Sequence, residues 1–113
     1  QSVLKDLKAS TRQRFIALSF DYPDPDKEME IVCKEGGLEL DIAKPLVKLA
    51  VMTRGLKDSG LAEGASTRLL IQTGKLIGRG IAVKTACRAA ISEALTDDRE
   101  LLAALDEMVS SLF

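Results

Sequence analysis

Along most of the chain apolar residues recur every three or four positions, the repeat of a helix with one face turned toward a core. One short stretch departs from this. Phe15-Ile16-Ala17-Leu18-Ser19-Phe20 is apolar on both alternating faces, which predicts a strand buried on both sides. Such strands belong to parallel sheets covered by helices, yet no later stretch reads as a partner, so this strand stands apart from its sheet. The residues before it, Val3 to Arg14, are polar and basic without a sustained period.

Asp21-Tyr22-Pro23-Asp24-Pro25 breaks the pattern, and Asp24 followed by Pro25 fits an N-cap with proline at the first helical position. The first helix is predicted from there to about Lys34, with Met29, Val32 and Cys33 as its apolar stripe and Gly36-Gly37 as a left-handed stop. A longer helix, capped by Asp41, runs to about Leu56 with Ile42, Leu46, Leu49 and Ala50 on one face. Pro45 is tolerated there in or near the first turn. After Ser59-Gly60, Ser66 or Thr67 opens a third helix carrying Leu69, Leu70, Thr73, Leu76 and Ile77, and Gly78 and Gly80 end it. Val83, Ala86, Cys87, Ala90, Ile91 and Ala94 mark a fourth, whose small residues permit close packing. Asp97 with Glu100 makes a capping-box-like start to a fifth, with Leu101, Leu102, Leu105, Met108, Val109 and Leu112 on its stripe. The expectation is a mostly helical domain preceded by one orphan strand.

Composition narrows the chemistry. At 113 residues the chain has room for one domain or part of one, and 46% hydrophobic with 29% charged residues is globular rather than disordered. With no histidine and only Cys33 and Cys87, a His/Cys zinc site, a Cys-His nucleophile and a Ser-His-Asp triad are excluded within this chain. The two cysteines, 54 positions apart in apolar helical patterns, read as reduced core residues of a cytoplasmic protein. No run approaches the roughly 18 apolar residues of a membrane span, and the start Gln1-Ser2-Val3-Leu4-Lys5 lacks the layout of a signal peptide. A start at Gln1 rather than Met reads as a piece of something longer.

Three motifs reduce to structure. Gly74-Lys75 is not a phosphate loop, because Leu69 and Leu76 occupy the positions that need glycine and Ser/Thr, so tight packing accounts for the glycine. Asp97, Asp98 and Glu100, like Glu39 and Asp41, collect where a helix dipole favours acids. Lys84, Arg88 and Arg79 could decorate a DNA-binding helix pair, but 16 basic against 17 acidic residues give no basic excess to hold nucleic acid. Gly64-Ala65-Ser66-Thr67-Arg68 is different. A small-residue turn opening a helix sets backbone N–H groups and a guanidinium at an electropositive end, which is anion-binding geometry; the alternative is a surface arginine beside an ordinary N-cap. Thr11-Arg12-Gln13-Arg14-Phe15 puts two arginines just before the strand, at a domain edge facing solvent or a neighbour.

Together Arg14-Phe15, Phe20-Asp21-Tyr22-Pro23, Gly64-Ala65-Ser66-Thr67-Arg68, Ala86-Cys87 and Leu95-Thr96-Asp97-Asp98 resemble the C-terminal part of MoxR-class AAA+ ATPases of the CbbQ/NirQ/NorQ branch, over essentially the whole chain. The resemblance implies that residues 1–22 end the αβα core and residues 23–113 form the helical lid that closes over the nucleotide. It implies Arg68 as the sensor-2 residue on the phosphates, with Gly64, Ala65, Ser66 and Thr67 shaping its turn. Arg14 falls at the arginine-finger position that reaches the adjacent subunit's ATP, and Arg12 is a second candidate. It further implies a ring, usually hexameric, that uses ATP and Mg2+ to remodel a client, rubisco or nitric oxide reductase, with a partner bearing a von Willebrand A domain. A planar guanidinium suits both roles, because it binds phosphate oxygens bidentately and stabilises the charge that spreads during phosphoryl transfer. Walker A, Walker B and sensor 1 are absent from these residues, so this piece alone should neither hold Mg-ATP tightly nor hydrolyse it. A helical docking module without a nucleotide role is the alternative, and it predicts function that survives Arg68→Ala.

Overall fold

A computed structural model describes residues 22–56 and 60–113. The predicted strand Phe15–Phe20, and Arg12 and Arg14 before it, lie outside the described residues. The described chain is mostly α, in the order α1 (Pro25–Gly36), α2 (Leu40–Arg54), α3 (Thr67–Gly78), α4 (Val83–Cys87), a π-helical segment (Arg88–Ser92), α5 (Glu93–Leu95) and α6 (Arg99–Leu112). None of these helices is long and apolar enough to cross a membrane.

The helix boundaries follow local chemistry, with a few shifts from expectation. Pro25 sits at the start of α1 as predicted, and the N–H groups of Gly37 and Leu38 both reach back to the Cys33 carbonyl. Gly37 alone takes the left-handed conformation, at φ 70°, whereas Gly36 is still helical and buried. The glycine that close packing requires is Gly74 on α3. A Cβ on Gly74 would lie 2.8 Å from the Gly36 carbonyl oxygen and 3.1 Å from its Cα, so α1 and α3 cross backbone to backbone. Gly74 of the Gly74-Lys75 pair is thereby a packing residue, as its sequence context predicts, while Lys75 is exposed.

Helix α2 starts two residues earlier than Asp41 capping would allow. Glu39, in extended conformation, is the N-cap, and Asp41 falls in the first turn, where its charge still complements the dipole. Pro45 is the sixth helical residue, so α2 forgoes one backbone bond to Asp41. Ser66 rather than Thr67 caps α3, its hydroxyl accepting from the Leu69 N–H at 3.3 Å. For α6 the cap is Asp98 and not Asp97, because one Asp98 oxygen accepts from both Glu100 and Leu101, at 2.9 and 3.1 Å. The predicted fourth helix exists as α4, the π segment and α5 in succession, and Cys87, Arg88 and Glu93 keep right-handed helical dihedrals at the junctions.

The core forms where the stripes of α1, α2, α3, the π segment and α6 meet, with Val32, Leu46, Leu49, Leu70, Ile91 and Val109 at its centre. Each such side chain contributes about 1.5–3 kcal/mol by leaving water. Cys33 and Cys87 are free thiols, the first half-buried and the second fully buried. Of the four buried polar residues among those described, Glu28, Thr53, Thr73 and Ser92, two come together from α1 and α2: Glu28 and Thr53. They belong to the site.

Candidate functional site

Arg68 stands at the second residue of α3, exposed to solvent. No acidic residue occupies the first turn of α3, and among the described residues no carboxylate pairs with Arg68. The same face continues as Gln72, Lys75 and Arg79, all exposed at successive spacings of four, three and four. From Thr67 to Ser92 the chain carries five basic residues and no acid. A near-neutral chain therefore concentrates positive charge in the run from α3 to the π segment, with Arg68 at the end of α3 where the helix dipole adds to it.

The loop that presents Arg68 is bolted to the interior. The Arg54 guanidinium, at the end of α2, donates from Nη1 and Nη2 to the two carboxylate oxygens of Glu28, at 2.9 and 2.6 Å, and from Nε to the Ala65 carbonyl at 2.9 Å. The Thr67 hydroxyl donates to Glu28 Oε2 at 2.7 Å. Thr53 completes the attachment, because its hydroxyl donates to the Ala50 carbonyl at 2.7 Å and accepts from the Ala65 N–H at 2.9 Å. Both backbone groups of Ala65 are thus held by side chains of α2. The residue two positions before Arg68 is the N-cap, and the residue just before it is tied to Glu28.

Two further features close this hub. A Cβ on Gly64 would fall 2.5 Å from the Arg54 Cα and 2.6 Å from its Cγ, so only glycine lets the loop lie on the end of α2. On the other side the Arg54 Cζ sits 3.6 Å from the centroid of the Tyr22 ring, a cation–π contact. Burial raises the Tyr22 phenol above its ordinary value, an effect that Arg54 partly offsets. Glu28 is fully buried and the Arg54 side chain 11% exposed, so the pair is desolvated and depends on these bonds for compensation.

Of the residues predicted from sequence, Gly64, Ala65, Ser66, Thr67 and Arg68 form one continuous site. Arg12 and Arg14 lie outside the described residues. Sequence reasoning missed Glu28, Thr53 and Arg54. A signal was present, since Glu28 is four residues before Val32 and Arg54 four after Ala50, each extending an apolar stripe with a charge. An open groove of about 770 Å³ along the outer side of α1, lined by Asp24, Asp26, Glu30, Cys33 and Leu40 among others, involves none of these site residues.

Comparisons place this arrangement among known sequences. The sequence model described as the CbbQ/NirQ/NorQ C-terminal region matches residues 28–112. The chain is 50% identical over 113 residues to the protein CbbQ of Hydrogenophilus thermoluteolus and 47% identical over 113 residues to the protein NorQ of Paracoccus denitrificans; in each case all of this chain aligns with 42% of the relative. It is 48% identical over 109 residues to the denitrification regulatory protein NirQ of Pseudomonas aeruginosa, covering 96% of this chain and 42% of that protein. The chain therefore spans less than half the length of these relatives.

Proposed function

The chain belongs to the CbbQ/NirQ/NorQ family as its C-terminal segment, and from that premise we propose that residues 23–113 are the helical lid of a MoxR-class AAA+ ATPase, with residues 1–22 ending its nucleotide-binding core. The observation that carries the proposal is Arg68: an exposed guanidinium without a carboxylate partner among the described residues, on the first turn of a helix and on a loop fixed from beneath. Arg68 is the sensor-2 residue, and Gly64, Ala65, Ser66 and Thr67 set where its side chain begins. Arg14 acts as the finger that reaches the neighbouring subunit, with Arg12 as the second candidate.

The donor chemistry fits the phosphate part of the cofactor. An arginine with unused N–H groups beside a helix N-terminus binds phosphate oxygens and favours the charge that develops on them. In this reading Mg2+ is held by the rest of the full-length protein. When bound, ATP with Mg2+ supplies the transferable phosphoryl group, and this chain's own part is to orient Arg68 and to move it with the lid. The assembly in this reading is a ring, hexameric by family resemblance, that works with a von Willebrand A partner. It activates a client enzyme, rubisco or nitric oxide reductase.

The test is steady-state ATP hydrolysis by the full-length protein as wild type, Arg68→Ala and Arg14→Ala, with ring assembly checked for each. Loss of turnover by roughly 10³-fold or more in Arg14→Ala, as for arginine fingers elsewhere, and a clear loss in Arg68→Ala, with rings intact, are expected. Unchanged turnover in both would return the arginines to the solvated surface and make the chain a helical docking module.

A further inference from the structure

The hub beneath Arg68 reaches further than its loop. Tyr22 immediately precedes the Pro23 break, where the proposed core gives way to the proposed lid, and its ring lies against the face of the same guanidinium whose edges hold Glu28 and Ala65. A guanidinium is planar and rigid, so displacement at its face is felt at its edges. Three of its N–H groups are engaged in the directions set by Glu28 and Ala65, and Glu28 in turn holds Thr67, the neighbour of Arg68. Gly64 lets the loop backbone lie directly on Arg54, without a side chain to absorb movement between them.

We propose that Arg54 is a positioning residue that couples the Tyr22–Pro23 junction to Arg68, so that the setting of the lid relative to the segment before it fixes where the phosphate-contacting guanidinium is presented. This deepens the sensor-2 reading of Arg68 and rests on it. The chain of contact is short: Tyr22 ring to Arg54 face, Arg54 edges to Ala65 and Glu28, Glu28 to Thr67, Thr67 to Arg68. Lysine at position 54 would keep the charge but lose the bidentate fork, the Nε bond to Ala65 and the flat face for Tyr22.

The experiment uses the full-length protein with Tyr22→Leu, Tyr22→Phe and Arg54→Lys, the last also combined with Arg68→Ala, after thermal melts confirm folding. Two readouts are taken. In hydrogen exchange, Tyr22→Leu should speed exchange of the Ala65 amide by roughly 3- to 30-fold, the size of a partly desolvated cation–π contact, while Tyr22→Phe, which keeps the ring, leaves it unchanged. Equal Ala65 exchange in Tyr22→Leu and wild type would overturn the coupling, whatever ATP turnover shows. In ATP hydrolysis, Arg54→Lys should lower kcat in the wild-type background and cause no further loss in the Arg68→Ala background, because its effect passes through Arg68. An equal loss in both backgrounds would make Arg54 merely structural and overturn the proposal. Normal turnover in Arg68→Ala would instead sink the sensor-2 reading and leave the exchange result to decide the coupling.

Discussion

Arg54 and Arg88 both meet carboxylates, and they differ in almost everything else. Arg54 is 11% exposed, holds a Glu28 that is fully buried, and places every bond against a neighbour that is itself fixed. Arg88 is 42% exposed and reaches Asp106 on α6 and Glu93 on its own helical run, themselves 44% and 57% exposed. Water competes for both partners of Arg88 and for neither oxygen of Glu28. The contrast separates an ion pair that the fold depends on from one that the surface tolerates, and the former lies under the candidate site.

The sharpest way to break this comparison is to remove one partner at each place. Arg54→Ala strands a buried carboxylate and Glu28→Ala a nearly buried guanidinium, so each should cost about 3–5 kcal/mol in chemical denaturation. A loss below about 1 kcal/mol would place the hub in the same class as the surface pair. Gly64→Ala leaves every charge in place and forces a methyl group against the Arg54 backbone, for an expected loss of about 1–3 kcal/mol in thermal melts. Gly78→Ala, at a position with nothing within 4 Å, should be neutral or stabilising in the same assay.

Alkaline pH probes the neighbourhoods of both arginines. Burial pushes the Cys87 thiol, next to Arg88 in the chain, from an ordinary 9.0 up to about 12, and raises the Tyr22 phenol under Arg54. In each case the folded state holds its proton more tightly than the unfolded chain. The stability linked to Cys87 is therefore fully present below pH 9.0 and declines as pH rises toward about 12, with a limiting slope of about 1.4 kcal/mol per pH unit. The Tyr22 contribution declines above pH 10.0. Denaturation from pH 8 to 11 should show the fall, and Cys87→Ala should flatten the thiol's share of it. The smallest effect belongs to the surface pair. Arg88→Ala or Asp106→Ala should cost no more than about 1 kcal/mol at low salt, and 1 M salt should erase most of that while leaving the Arg54→Ala loss intact.

The helices were legible because their signals are local. Pro25 at a first turn, Ser66 as a cap and stripes repeating every three or four residues are all read within one turn of chain. The N-cap shifts, Glu39 for Asp41 by two residues and Asp98 for Asp97 by one, arose where acids cluster at a helix start; extended backbone at Glu39 and Asp98 decided the cap, and only Asp98 accepts N–H groups through its side chain. Arg68 and its turn were legible as a composition of small residues before a helix, and family resemblance added a role. The hub was not. Glu28 and Arg54 lie 26 positions apart, and neither residue's spacing names the other, because their pairing is a property of how α1 packs on α2. The π segment was hidden for a related reason, since the stripe Val83, Ala86, Cys87, Ala90, Ile91 fits an ordinary helix equally well.

That π segment also sets a rule for changes in chain length. In a regular helix each added or deleted residue turns everything after it by about 100°, so deleting Leu69 in α3 would swing Arg68 out of register with the Leu70–Thr73–Gly74 stripe. The wider turn at Arg88–Ser92 already accommodates an extra residue, as π-bulges do. Deleting one residue there should tighten the turn to an ordinary helix while the flanking faces keep their phase. Insertions and deletions along this chain are thus not equivalent: the run from Val83 to Leu95 contains a place where length can change by one and α6 still meets the core through Leu105 and Val109.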